Sequence, residues 1–176
     1  MNLDAVIRKV PNFPKPGIVF YDITSLFMNP EAVAFISKRM LEAFAHTKVD
    51  AAITIESRGF ILGGIFAKEK RVPLLLARKS GKLPCETIKE SYELEYGRAT
   101  LEIHKADIVA GKQYVIIDDL IATGGTVKAV ATMVEKSGSE VAGIFAIISL
   151  PFLRHAEKIG KYTTVVLQEY HGENAG

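Results

Sequence analysis

The sequence predicts an α/β protein: a mainly parallel open sheet flanked by helices. Short apolar runs at residues 50–55, 73–77, 114–119, 141–150 and 163–168 read as buried strands. Segments of helical periodicity lie between them, such as Val127, Val130, Ala131 and Val134 at i, i+3, i+4 and i+7. Strands and helices therefore alternate, which is the pattern of βαβ units. About five core strands are expected from the usual size of such sheets.

The elements follow in order. Leu3, Val6, Ile7 and Val10 have helical spacing, so residues 2–10 read as a short amphipathic helix stopped by Pro11. Residues 11–17 hold three prolines and a glycine, which argues against regular structure there. Yet Phe13, Ile18, Val19, Phe20, Tyr21 and Ile23 make this stretch apolar, so it either caps the core or covers a flat ligand. Asn29-Pro30-Glu31 is a helix start, with a cap, a proline at the first position and an acid in the first turn. The strand at 50–55 runs into Glu56-Ser57-Arg58 and a helix reaching about Lys70. The strand at 73–77 runs into the basic cluster Arg78-Lys79-Ser80-Gly81-Lys82. Residues 83–90 lack periodicity and read as mobile. Tyr92, Leu94, Tyr96 and then Ala99, Leu101, Ile103 alternate around Gly97, which predicts a β-hairpin. Such an excursion reads as a lid, with Glu93, Glu95 and Glu102 as the acids it could carry into a site. After the strand at 114–119 a helix runs from about Gly125 to a Gly138 cap. Pro151 ends the strand at 141–150, a short helix covers 152–159, and a free polar tail follows from Glu169.

Composition bounds the function. The 176 residues suggest one domain, and 48% hydrophobic with 24% charged residues are the proportions of a globular protein. A net charge of +2, without a basic tail or a long like-charge run, points to neither nucleic acid nor a membrane surface. No signal-peptide pattern and no run of transmembrane length is expected. The single Cys85 fits a reducing cytoplasm and reads as an incidental thiol. His46, His104, His155 and His171 are dispersed and read as surface or hydrogen-bonded filler.

The chemistry concentrates at 115–126. An apolar strand ends in Asp118 and Asp119, and Ala122-Thr123-Gly124-Gly125-Thr126 then opens a helix. Such a turn offers backbone N–H groups and a positive dipole end to a phosphate. It is neither G-x-x-x-x-G-K-[ST] nor G-x-G-x-x-G, which argues against nucleoside-triphosphate hydrolysis and dinucleotide binding. Carboxylates accept hydrogen bonds from sugar hydroxyls and stabilise a cation forming at an anomeric carbon. Arg58, Lys79 and Lys82 suit a second anionic group, although Arg58 could instead pair with Glu56. The pattern fits a sugar held between two phosphate-bearing groups.

Val115–Thr126 resembles the phosphoribosyl-pyrophosphate (PRPP) motif of the type I phosphoribosyltransferases. The resemblance spans essentially the whole chain and narrows to the adenine-using branch of that family. Phe13-Pro-Lys-Pro-Gly-Ile-Val-Phe-Tyr-Asp-Ile resembles its hood, within residues 1–28, and Glu56-Ser-Arg-Gly-Phe its pyrophosphate loop. Arg78-Lys-Ser-Gly-Lys-Leu-Pro and Ser91-Tyr-Glu-Leu-Glu-Tyr-Gly resemble its flexible lid, within residues 80–105. The resemblance implies formation of AMP and pyrophosphate from adenine and PRPP, with Mg²⁺ carried mainly by PRPP, in a cytoplasmic homodimer serving purine salvage. It implies that Asp118 and Asp119 hold the ribose and that Ala122, Thr123, Gly124, Gly125 and Thr126 cradle the 5-phosphate. Glu56, Ser57, Arg58, Arg78 and Lys82 would face pyrophosphate. Val19, Phe20 and Tyr21 would meet adenine, with Leu150 closing the other side. In 6-oxopurine relatives the position of Ala122 is typically an Asp that handles N7. Its absence moves that proton chemistry to Glu95 on the lid, beside Tyr96.

Overall fold

The computed structural model describes residues 1–93 and 97–172. The chain opens with an antiparallel pair, β1 (Arg8–Pro11) and β2 (Val19–Asp22), followed by a one-turn helix α1 (Thr24–Phe27). Then come α2 (Pro30–Ala43), β3 (Ala51–Ile55), α3 (Gly59–Lys70) and β4 (Leu74–Lys79). A hairpin of β5 (Thr87–Glu93) and β6 (Arg98–His104) precedes β7 (Gln113–Ile121), α4 (Gly125–Lys136) and β8 (Glu140–Ser149). A 3-10 turn (Pro151–Leu153), the short α5 (Ala156–Ile159) and β9 (Thr164–Glu169) complete it. Among the described residues, no helix is long and apolar enough to cross a membrane.

The main sheet has seven strands in the order β5-β6-β4-β3-β7-β8-β9. From β4 to β9 the five neighbouring strands run parallel. These are the five expected, and the hairpin adds two antiparallel strands at the β4 edge. The chain leaves β3 for β4 on one side and later returns to β7 on the other. Strand order thus reverses between β3 and β7, the place where open α/β sheets bind ligands beyond their carboxyl ends. One face of the sheet packs against α4 through Val127, Val130, Met133 and Val134. The other packs against α2, α3 and the N-terminal segment through Ile36, Met40, Leu62, Phe66, Leu3 and Ile7.

Three regions differ from expectation. Residues 2–10 form one turn, where Val6 and Ile7 donate to the Leu3 carbonyl, and then extend into β1. Leu3 and Ile7 are buried as helical spacing requires, but the backbone partner offered by β2 overrides local propensity. The irregular stretch accordingly ends at Ile18; Gly17, at φ 88°, turns the chain and donates to Asn12 Oδ1 at 3.0 Å. The segment expected to be mobile includes Thr87–Glu90, which lies in β5 and pairs along β6 from Thr87↔His104 to Glu93↔Arg98. The tail is anchored at its start: Tyr170 stacks on Tyr21 at 3.8 Å and donates to Asp4 Oδ1 at 2.6 Å.

Helix α3 closes on β3 through glycine. A Cβ at Gly63 would lie 2.6 Å from Thr54 Cβ, inside a fully buried strand that cannot give way. Gly63→Ala is expected to destabilise the fold by about 2 kcal/mol through overpacking, read as a lower urea midpoint at unchanged slope.

Candidate active site

The site stands at the β3–β7 reversal. Strand β7 is buried almost throughout and delivers Asp118 and Asp119 to the rim at 6% and 7% exposure. Asp118 Oδ1 accepts the Asp119 N–H at 2.8 Å. Burial, reinforced by the neighbouring Asp119 charge, raises the Asp118 carboxyl well above the usual carboxylate range. Gly59, at the start of α3, is needed here: a Cβ would come within 3.1 Å of Asp118 Oδ1 and of Thr54 Oγ1. The absence of a side chain lets the positive end of α3 approach the acid pair.

Arg58 answers the acids from the β3–α3 turn. Its Nε donates to Asp119 Oδ2 at 2.6 Å, so its partner is Asp119 and not Glu56. Its guanidinium also lies 5.8 Å from the Phe20 ring centroid, and Phe13 meets Phe20 edge-on at 5.2 Å. Phe20 of the N-terminal pair and Asp119 of β7 therefore share one arginine. Glu56 turns the other way, its Oε2 accepting from Arg78 Nε at 3.2 Å and the Lys79 N–H at 3.0 Å. Burial pushes the Glu56 carboxyl up, but those donors outweigh it and leave it below its ordinary value. Ser57 lies exposed between them.

At the end of β7, Leu120 and Ile121 with Ala122 to Gly124, Thr126 and Val127 line a concavity of about 300 Å³. Gly124 takes φ 73°, which favours glycine, and Gly125 begins α4. The first N–H groups of α4 have no acceptor within the helix and open toward this turn. Gly124 packs against the backbone and Cβ of His155. His155 is thus not hydrogen-bonded filler: both ring nitrogens are buried with no hydrogen-bond partner among the described residues. The end of β5 also reaches this loop, since a Cβ at Gly125 would meet Glu93 O and Tyr92 Cδ2 at 3.4 Å. An ion pair of 2.5 Å between Lys136 and Glu90 holds the hairpin to α4.

The remaining sequence-predicted residues divide. Leu150 sits at the rim, its N–H donating to Ile121 O at 2.9 Å. With Val19 it packs on the cluster that holds Tyr21 and Ile23. The Tyr21 side chain is buried against Tyr170, so its ring does not face the site. Arg78 and Lys79 belong to β4, not to the loop after it, while Lys82 is exposed on that loop. Glu95 and Tyr96 lie outside the described residues. Glu93 is exposed. Glu102 is buried at 1% and cannot enter a site as a mobile lid acid. Sequence reasoning missed the supporting groups Gly59, Gly63, Tyr170 and Glu102. Only Glu102 left a trace, as a lone acid in the apolar run Ala99–Ile103.

This geometry defines a class. Residues 22–170 match the family model described as "Phosphoribosyl transferase domain". The adenine phosphoribosyltransferase of Treponema denticola is 47% identical over 171 residues, covering 97% of this chain and 90% of that protein. The crystal structure of adenine phosphoribosyltransferase from Thermoanaerobacter pseudethanolicus superposes with a TM-score of 0.91 at 40% identity, over 95% of this chain and 97% of that one. The Saccharomyces cerevisiae enzyme, complexed with an imino-altritol bisphosphate and adenine, superposes with a TM-score of 0.87 at 36% identity, over 94% and 96% of the two chains. The chain belongs to the phosphoribosyltransferase family and, within it, to the adenine phosphoribosyltransferases.

The raised Asp118 carboxyl makes a pH-dependent stability prediction. A carboxylate whose folded pKa lies above its unfolded value destabilises the fold increasingly as pH rises from its unfolded pKa. Asp118→Asn removes that penalty while keeping an oxygen for the Asp119 N–H. It is expected to raise Tm at pH 7 by roughly 3 °C. The gain should vanish below the ordinary carboxylate range; a gain independent of pH would overturn it.

Proposed function

We propose that this protein transfers the phosphoribosyl group of PRPP to adenine, yielding AMP and pyrophosphate in purine salvage. The observation that carries this reading is the meeting, at one strand-order reversal, of the Asp118–Asp119 pair, the 122–126 cradle and an arginine shared with Phe20. Its named relatives are adenine phosphoribosyltransferases, which supports adenine as the base.

In this reading the ribose hydroxyls meet Asp118 and Asp119, and the 5-phosphate lies on the N–H groups of Ala122 to Thr126. As the C1–O bond to pyrophosphate breaks, N9 of adenine bonds to an oxocarbenium-like C1, whose positive charge the buried acids stabilise. Arg58 moves from Asp119 to the diphosphate of PRPP as it binds, whose charged oxygens make the stronger partner. Ser57, Glu56, Arg78 and Lys82 line the same side. That shift also uncovers Phe20, whose ring stacks on the purine, with Val19, the Tyr21 backbone and Leu150 around it. Glu95, beside Tyr96, handles the N7 proton from the lid, because Ala122 cannot. Closure of the lid segment that carries Glu95 keeps water from the cation.

Among the described residues no three His, Cys, Asp or Glu side chains gather into a metal cage. Mg²⁺ does not require one, since it binds through one or two carboxylates plus substrate phosphates and retains waters. Asp118 and Asp119 fit as its protein-side neighbours, with the ion carried mainly by PRPP. When bound, it supplies charge neutralisation on the leaving group. The working form in this reading is a cytoplasmic homodimer, tested by sedimentation.

Purified protein with PRPP and Mg²⁺ is expected to turn over adenine; turnover of hypoxanthine in its place would sink the reading. Phe20→Ala should raise KM for adenine about tenfold with little change for PRPP, the size of one lost base–aromatic stack. Glu95→Gln should lower kcat by at least about tenfold while PRPP binding by calorimetry stays nearly intact. Unchanged turnover would return Glu95 to a solvated charge.

A further inference from the structure

Glu102 is the most deeply buried charged side chain among the described residues that the proposed mechanism does not use. It lies mid-strand in β6, opposite Arg78 of β4 and Lys89 of β5. Its Oε1 accepts the N–H groups of Lys82 and Leu83, both at 3.0 Å. Its Oε2 accepts from Thr87 Oγ1 at 3.3 Å and pairs with Lys89 Nζ at 3.2 Å. Burial alone would raise this carboxyl, yet the Leu83 N–H, Lys89 and the Lys82 N–H together hold it down to about 2. It is therefore a fixed anion at neutral pH, and the Ser80–Leu83 loop is wrapped around it.

The rest of that loop is tied to the same frame. Ser80 N–H donates to Thr100 O at 3.0 Å, Lys82 N–H also approaches Lys79 O at 3.2 Å, and Gly81 turns the chain at φ 86°. Lys82 is held at both ends of its backbone: Glu102 takes its N–H and Arg78 Nη1 donates to its carbonyl at 3.3 Å. Arg78 is in turn held by Glu56 of the β3–α3 turn. A continuous chain of contacts thus runs from Glu56 through Arg78 and Lys82 to Glu102. Both ends of this chain are carboxylates, with the two cations Arg78 and Lys82 between them.

We infer that Glu102 is a positioning residue that clamps the Ser80–Leu83 loop so that Arg78 and Lys82 present their charges together to the pyrophosphate group. The inference rests on the reading of Arg78 and Lys82 as pyrophosphate-side residues. Glu102 touches no substrate; it acts through the backbone of Lys82. Its effect therefore belongs to the substrates that carry pyrophosphate, and not to adenine or AMP.

Steady-state kinetics in both directions test this, with PRPP and adenine forward and pyrophosphate and AMP in reverse. Glu102→Ala is expected to raise KM for PRPP and for pyrophosphate about tenfold, with KM for adenine and AMP within about twofold. Glu102→Gln keeps an oxygen for the two N–H groups and is expected to show a smaller rise on the same two substrates; it also serves if the alanine variant does not fold. Lys82→Ala should show the same split, and adding Glu102→Ala to it should produce little further rise, because the two act in series. A Glu102 effect spread equally over all four substrates, or confined to Tm, or additive with Lys82→Ala, overturns the inference. If Lys82→Ala raises both KM values and neither Glu102 variant does, the inference fails and the pyrophosphate reading stands. If Lys82→Ala and Arg78→Ala leave both unchanged, that reading fails and takes the inference with it.

Discussion

Two adjacent carboxylates near the end of a buried strand are the constraint around which this molecule is arranged. Asp118 and Asp119 are both largely withdrawn from water, where like charges repel strongly. The surrounding structure relieves that repulsion in two ways. Asp119 takes a close charge-assisted hydrogen bond from Arg58, and Asp118 is driven toward its neutral form. Both responses need α3 to start hard against β7, which explains a glycine at position 59. The fold accepts a destabilised acid pair at the point where its chemistry needs negative charge, as functional sites often do.

Arg58 connects this pair to the N-terminal segment. Its guanidinium faces Phe20, so the ring proposed to receive the base and the acid proposed to receive the ribose are joined through one side chain. The N-terminal pair of strands is held in turn from the far end of the chain. Tyr170, just past β9, stacks on Tyr21 and bonds to Asp4, while Lys9 also pairs with Asp4. A two-stranded ribbon has little stability of its own. Its position over the site is owed to this contact and to the core beneath Leu3, Ile7 and Ile23.

On the opposite side, ionic contacts replace apolar packing. Glu56 links the β3–α3 turn to Arg78, and Glu102 holds the loop beyond it. Buried carboxylates satisfied by backbone N–H groups define loop shape more narrowly than apolar side chains can, because hydrogen bonds are directional. The hairpin that carries Glu102 also rests on α4 beside the phosphate-type turn, through Tyr92, Glu93 and the Glu90–Lys136 pair. Lid, basic loop and cradle are therefore parts of one connected rim.

Much of this was legible before any coordinates. The five parallel strands, helices α2 to α4 and the placement of Asp118–Asp119 before a Gly/Thr turn follow from local signals. Those signals are apolar runs, helical periodicity, an Asn-Pro-Glu start and glycine punctuation, and each acts within a few residues. Residues 2–10 depart from the helical expectation because Leu3, Val6, Ile7 and Val10 suit either a helix or a turn followed by a strand, and pairing with β2, where Val10 meets Phe20 and Arg8 meets Asp22, makes the choice. Arg58 looked like a partner for Glu56, two residues off; the buried charge on Asp119 outbid it from sixty-one residues away. Tyr170 carries no local mark of its role, and Glu102 leaves only the trace of a lone acid in an apolar run. Short-range stereochemistry and burial pattern are written into neighbouring residues, so the elements, their order and the residue types that make a phosphate and sugar site possible can be read from them directly. Which charges pair, which acid is buried and what anchors the N-terminal strands emerge only on folding, because those outcomes depend on distances and desolvation between residues far apart in the chain.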